Sequence, residues 1–155
     1  MSSSREYEYP LRVRYGECDP QGIVFNANYL LYFDVVFTEL WREALGPWQE
    51  LKDAGVDLVV ANANIDFRAS ARFDDELILR ARIARLGTTS ITTEFDVLRD
   101  GQLLVCGRLV HVCVSSRDWG KAELPDWVRA GLLAYTSGEA APGAAPAADA
   151  SPEPR

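Results

Sequence analysis

Asp19 is the carboxylate in this chain best placed to do chemistry. It sits in the stretch Tyr15-Gly16-Glu17-Cys18-Asp19-Pro20-Gln21-Gly22-Ile23-Val24-Phe25-Asn26-Ala27-Asn28-Tyr29. Pro20 and Gly22 break regular structure there, and Pro20 pushes the backbone of Asp19 towards extended conformations. A few residues later an apolar helical run begins. The first N–H groups of a helix lack partners and carry partial positive charge, so they can stabilise an oxyanion. A carboxylate beside such donors is a minimal acyl-transfer apparatus. A carboxylate in a turn can equally be an Asx-turn or capping residue. The residues alone leave both readings open.

The chain offers few other catalytic parts. Its one histidine, His111, lies between Val110 and Val112 in an apolar run and reads as a buried or interface residue. There is no G-x-S-x-G elbow, no dinucleotide or phosphate-loop motif, and no cluster with metal-ligand spacing, so neither a metal nor a cofactor is expected. Cys18, Cys106 and Cys113 are an odd set without CxxC spacing, which argues against a disulfide framework or a zinc site. A thioester suits so spare a site. Its thiolate corresponds to a thiol of pKa about 8.5 if it resembles cysteine, and it departs with little help from a general acid. Asp19 could attack the carbonyl and form a mixed anhydride, or act as a base on water; the sequence does not separate these routes.

Several elements must position this stretch. Tyr7, Tyr9, Leu11, Val13 and Tyr15 alternate with Glu8, Pro10, Arg12 and Arg14, the period of a half-buried strand, with Pro10 placing its first part at a sheet edge. Residues 27–45 form a long helix, apolar on most sides through Phe37 and therefore buried, ended by Gly46-Pro47. A short helical piece covers 48–54. Alternating runs at 59–67, 77–83 and 91–97 predict strands with one apolar and one polar face. Asp100-Gly101 predicts a hairpin. Residues 103–115 are apolar on both faces, as in a central strand or one covered by a partner subunit. A last short helix spans 125–135, with Pro125 at its start. One long helix against a curved antiparallel sheet is an α+β layout.

The chain has 155 residues, 48% hydrophobic and 25% charged, with net charge −7. These values fit one globular domain and disfavour general binding to nucleic acid or anionic membrane. We divide the chain into a flexible N-terminus at 1–6, a domain at 7–135 and a disordered Ala/Pro-rich tail at 136–155. The opening residues lack the apolar run of a signal peptide. No run reaches the ~18 residues of a membrane span, and a cytoplasmic setting is expected.

The register Cys18-Asp19-Pro20-Gln21-Gly22-Ile23-Val24-Phe25-Asn26-Ala27-Asn28-Tyr29, preceded by Arg12-Val13, resembles the signature of the 4-hydroxybenzoyl-CoA thioesterase family. That family includes the Tol-Pal-associated acyl-CoA thioesterases. Leu31-Tyr32-Phe33-Asp34, Thr38-Glu39, Ala71-Arg72-Phe73-Asp74-Asp75-Glu76-Leu77 and Leu124-Pro125 extend the likeness across about residues 7–135. The resemblance implies a hotdog fold, with the sheet wrapped around the central helix. It implies dimers joined edge to edge, usually paired into homotetramers, with sites between subunits. The implied activity is hydrolysis of an acyl-CoA or acyl-carrier thioester. The resemblance carries the catalytic carboxylate onto Asp19 and the oxyanion contact onto backbone N–H groups near Phe25, Asn26 and Ala27, and Tyr29 closes the motif.

Two departures mark this chain. Asn26 stands where many relatives have His or Tyr, and an amide can donate and accept hydrogen bonds but cannot act as a base. The region after the third strand holds Arg85 but no basic cluster, so CoA phosphates would meet Arg85, Arg68 or Arg72. Glu39, on the central helix, is the rival carboxylate, and pairing with a nearby arginine is its structural alternative. A hotdog hydratase or dehydratase and a non-catalytic acyl-CoA-binding protein are the alternative functions. Tyr15, Phe25, Tyr29 and Phe33 would suit an aryl or an alkyl acyl group equally.

Overall fold

The computed structural model describes residues 5–136. The expected tail at 136–155, apart from Thr136, and the first four residues lie outside that span. The described elements are β1 (Tyr7–Arg12), α1 (Asn28–Leu45), α2 (Gln49–Asp53), β2 (Val56–Phe67), β3 (Glu76–Leu86), β4 (Ser90–Arg99), β5 (Gln102–Ser115) and α3 (Asp126–Leu132), with 3-10 turns at Tyr15–Glu17 and Leu133–Tyr135. The five strands form one sheet in the order β1-β3-β4-β5-β2, and every pairing is antiparallel. This curved sheet with one long helix against its inner face is the hotdog architecture.

The helix packs because its large residues recur at helical spacing. Tyr29, Tyr32, Phe33, Val36, Phe37, Leu40 and Trp41 are all buried, the i, i+3, i+4 stripe of a one-faced helix. They meet Leu77, Leu79, Ala81 and Ile83 of β3 and Ile91, Thr93, Phe95 and Val97 of β4, all buried and all alternate positions of their strands. Phe33 stacks on Phe95 with centroids 4.7 Å apart, a pairing worth about 0.5–1.5 kcal/mol beyond its buried area. Gly107 of β5 makes room for that stack, since a Cβ there would collide with the Phe33 ring.

Three expectations change. The helix is not buried all round: Leu30 and Leu31 are 40% and 49% exposed, because the sheet covers only one side of it. The first strand stops at Arg12, where the chain turns into the 3-10 helix; Tyr15, expected in the alternation, is 83% exposed. The run at 59–67 does not keep one face. The register of β2 on β5 slips between Val60 and Asn62, and a bulge of this kind exchanges the faces. Val59 therefore lies opposite in sense to Ala63, Ile65 and Phe67.

Other expectations hold. Strand β5 is central, between β4 and β2. Asp100 and Gly101 both have positive φ (51° and 77°), as a two-residue type I′ hairpin requires. The expected flexible N-terminus at 1–6 is different at its end: the Arg5 N–H donates to the Ala134 carbonyl, Arg5 pairs with Glu43 at 3.0 Å and Glu6 with Arg80 at 3.1 Å, which ties residues 5 and 6 to the domain.

Candidate functional site

The loop carrying Asp19 is a tight turn built by its own sequence. Cys18 and Val24 bridge, the Asp19 N–H donates to the Ile23 carbonyl at 2.9 Å, and the Gly22 N–H donates to the Asp19 carbonyl at 2.9 Å. Pro20 takes the second turn position, which its fixed φ suits. Gly22 has φ +78°, a conformation that costs a residue with a Cβ. One Asp19 oxygen, Oδ1, accepts the Gln21 N–H at 2.8 Å. Asp19 is therefore an Asx-turn residue through one oxygen, and among the described residues the other oxygen has no protein donor.

Asp19 also lines a cavity of about 400 Å³, together with Gln21, Ile23, Val24, Asn26, Tyr29, Phe67, Arg68, Ala69 and Ser70. The far wall is the β2–β3 connection. Arg68 and Ala69 both donate their N–H to the Leu104 carbonyl. The Val24 N–H donates to the Ala71 carbonyl at 2.9 Å, and the Ala71 N–H donates to the Tyr29 hydroxyl at 3.2 Å. Arg99 clamps the same loop, donating to the Ser70 carbonyl and to the Asp75 carboxylate at 2.6 Å. Burial would raise the Asp75 carboxyl, but the Arg72 N–H and Arg99 outweigh it and hold its pKa below the usual value. Burial raises the Tyr29 phenol, which keeps it protonated.

The near wall is the start of α1. The Phe25 N–H is already committed to the Glu17 carbonyl at 3.0 Å. Among the described residues the N–H groups of Asn26 and Ala27 have no protein acceptor. They are the free donors of this helix start. Of the residues singled out in the sequence, Asp19, Asn26, Tyr29 and Arg68 share the cavity wall. Phe25, 48% exposed, and Ala27 lie on the turn that leads into α1 and do not line it. Arg85 is not brought to this site. It is exposed near the Leu86 end of β3, whereas the opposite end of that strand, preceded by Asp74 and Asp75, bonds Val13 near the loop.

The rivals to Asp19 are occupied elsewhere. Glu39 pairs with Arg42 on the same helix, eleven residues beyond the helix start, ~16 Å along its axis. His111 is 5% exposed, stacked on Phe37 with centroids 4.3 Å apart, and burial lowers its pKa to about 4. It does not line the cavity. Sequence reasoning missed Glu17 and Tyr32, which hold the loop from beneath. The Arg14–Glu17 spacing reads as a surface pair, and only the fold shows that Tyr32 points at it.

Comparisons with known proteins bear on this geometry. Residues 21–106, more than half the chain, match the thioesterase superfamily model. The chain is 29% identical over 120 residues to a protein named acyl-CoA thioester hydrolase YbgC from Escherichia coli O6:H1, covering 77% of this chain and 90% of that one. It is 26% identical over 152 residues to a 1,4-dihydroxy-2-naphthoyl-CoA hydrolase from Synechococcus sp., covering 92% and 99%. A solved structure of a hypothetical protein from Thermus thermophilus superposes with a TM-score of 0.78 at 28% identity, covering 84% of this chain and 98% of that one. With its matching fold and its turn-borne Asp19 motif, this chain belongs to the thioesterase superfamily.

Proposed function

We propose that the protein hydrolyses acyl-CoA thioesters to the free acid and CoA, with Asp19 as the catalytic carboxylate. The observation that carries this is that Asp19 and Asn26 share the cavity wall, and that among the described residues the N–H groups of Asn26 and its neighbour Ala27 have no protein acceptor. The acyl carbonyl oxygen, becoming negative in the tetrahedral state, would take these donors. Asp19 either attacks the carbonyl carbon, expelling the thiolate and leaving an anhydride that water opens, or removes a proton from the water that attacks. Neither route needs a histidine. The Asn26 side-chain amide can hold substrate or water but not a proton in transit.

Arg68 is the one cation among the cavity's lining residues, and we assign it, ahead of Arg85, to the phosphates of CoA. Strand β2 is an edge of the sheet over twelve residues. A long free edge invites pairing, and Val60 and Phe67 on it are 54% and 55% exposed. This supports a homodimer joined along β2, with a homotetramer formed from two such pairs. Among the described residues no helix is long and apolar enough to cross a membrane, and the three cysteines are free, which supports a cytoplasmic setting.

The test is thiol release over a panel of short-chain, long-chain and aryl CoA esters. Hydrolysis of at least one by the wild type is expected. Tight acyl-CoA binding without turnover across the panel would overturn the assignment.

A further inference from the structure

Glu17 is a buried carboxylate that the chemistry above does not use; it is only 8% exposed. Its Oε1 accepts the Arg14 N–H at 2.8 Å and the Tyr32 O–H at 3.0 Å, and its Oε2 accepts the Arg14 guanidinium at 2.7 Å. Its main-chain carbonyl accepts two more bonds, from the Phe25 N–H at 3.0 Å and from Asn28 Nδ2 at 2.7 Å. One residue therefore holds both sides of the site. It precedes Asp19 by two positions, and its carbonyl grips the two residues that flank Asn26 and Ala27.

The anchor beneath is rigid. Tyr32 is fully buried in the core face of α1, and packed core side chains hold one position. Burial alone would raise the Glu17 carboxyl, yet the bonds from Arg14 and Tyr32 outweigh it and keep its pKa below the usual value. The group is therefore an anion with three donors converging on it.

Resting on the hydrolase reading, we propose that Glu17 is a positioning residue for the reaction: its carboxylate, fixed by Arg14 and Tyr32, locks its own carbonyl, and that carbonyl aims the Asn26 and Ala27 N–H groups relative to Asp19. The residue touches no reacting atom. It acts through the geometry of the donors, and donor geometry governs the rate steeply because the developing oxyanion is met over a few tenths of an ångström.

The variant Glu17→Gln keeps the volume and one acceptor oxygen but places an N–H₂ where a donor now points. It should fold, with kcat reduced about tenfold to a hundredfold and KM within about threefold, because the cavity walls that bind substrate are untouched. Tyr32→Phe, which removes one anchor only, should show a smaller loss of kcat in the same direction. Amide exchange at Phe25 should quicken in Glu17→Gln, reporting a loosened carbonyl independently of activity. Wild-type kcat in folded Glu17→Gln, a loss confined to KM, or unchanged protection at Phe25 would each overturn the proposal. Asp19→Asn assayed in parallel separates the two ideas. If Asp19→Asn is inactive while Glu17→Gln is fully active, this inference alone falls; if Asp19→Asn is fully active, the assignment of the chemistry to Asp19 falls first and this one with it, and a wild type that turns over no CoA thioester removes the hydrolase reading itself.

Discussion

The Tyr29 hydroxyl accepts the Ala71 N–H at 3.2 Å, across 42 positions of sequence. This bond joins the start of the central helix to the loop that forms the opposite wall of the cavity. Ala71 is fully buried, and its carbonyl takes the Val24 N–H. The Ala71 peptide thus ties the helix, the Asp19 turn and the β2–β3 connection into one unit. The Tyr29→Phe variant leaves that N–H buried without an acceptor. It should lose about 1–3 kcal/mol of stability, read as a lower urea midpoint with an unchanged slope. Hydrolysis should show a lower kcat and a higher KM, as the wall that frames the substrate loosens.

Gly22 holds the turn in a left-handed conformation at φ +78°, with open space where a Cβ would stand. Gly22→Ala therefore meets no clash but carries backbone strain of order 1 kcal/mol. The strain falls on the turn that fixes Asp19. Activity should drop further than the small change in melting temperature would suggest, and a variant with normal kcat would show that the turn tolerates the shift.

Glu17 and His111 contribute to the response to acid, alongside the lowered carboxyls of Asp75 and Glu94. The Glu17 carboxyl is lowered in the folded state, so its contribution is present above the unfolded carboxylate pKa, about 4.3, and is lost as pH falls through the lower folded value. His111 has a folded pKa of about 4 against an unfolded value of about 6.5. Between these the unfolded chain binds the extra proton, so stability is complete above about pH 6.5 and declines as pH falls towards 4, by up to about 3 kcal/mol. Denaturant unfolding from pH 7 to 4 should show this slope. His111→Gln should flatten it while retaining thioester hydrolysis; loss of hydrolysis in a folded His111→Gln protein would show that the reaction depends on this histidine after all.

Edge pairing along β2 has its own test. Val60 is half-exposed in the single chain, so Val60→Lys should cost the fold little. Across a paired edge the added charge would lose solvent where the half-exposed valine becomes covered, and an unpaired charge is costly to bury. Sedimentation should show the wild type as a dimer or tetramer and the variant shifted towards monomer, with circular dichroism unchanged.

Much of the fold was legible in the residues because alternation and helical spacing report packing directly. The inward sets of β3 and β4 and the Asp100-Gly101 hairpin followed from period and turn chemistry alone. The β2 bulge was not legible. Ala61 to Phe67 alternate cleanly, the apolar Val60 beside Val59 does not by itself announce a bulge, and the slip arises from pairing with β5, a non-local constraint. The exposed side of α1 was misread for a similar reason: Leu30 and Leu31 look like core, and only the extent of the sheet decides that they stay outside. At the site, Asp19, Asn26 and Tyr29 could be singled out from one contiguous motif. Phe67, Ala69 and Ser70 could not, since nothing in their types says that the β2–β3 connection folds over the turn. Glu17 was hidden because its role depends on Tyr32, fifteen residues away and one helix face deep.

In the proposed reaction Asp19, with one oxygen held in the turn and the other, among the described residues, without a protein donor, performs the hydrolysis. Its most direct test is kcat for Asp19→Asn on the best CoA thioester found in the panel. The amide keeps an oxygen for the Gln21 N–H and cannot serve as nucleophile or base at neutral pH. A folded variant with kcat lowered by about a hundredfold or more is expected. A folded Asp19→Asn protein that releases thiol at the wild-type rate would contradict it.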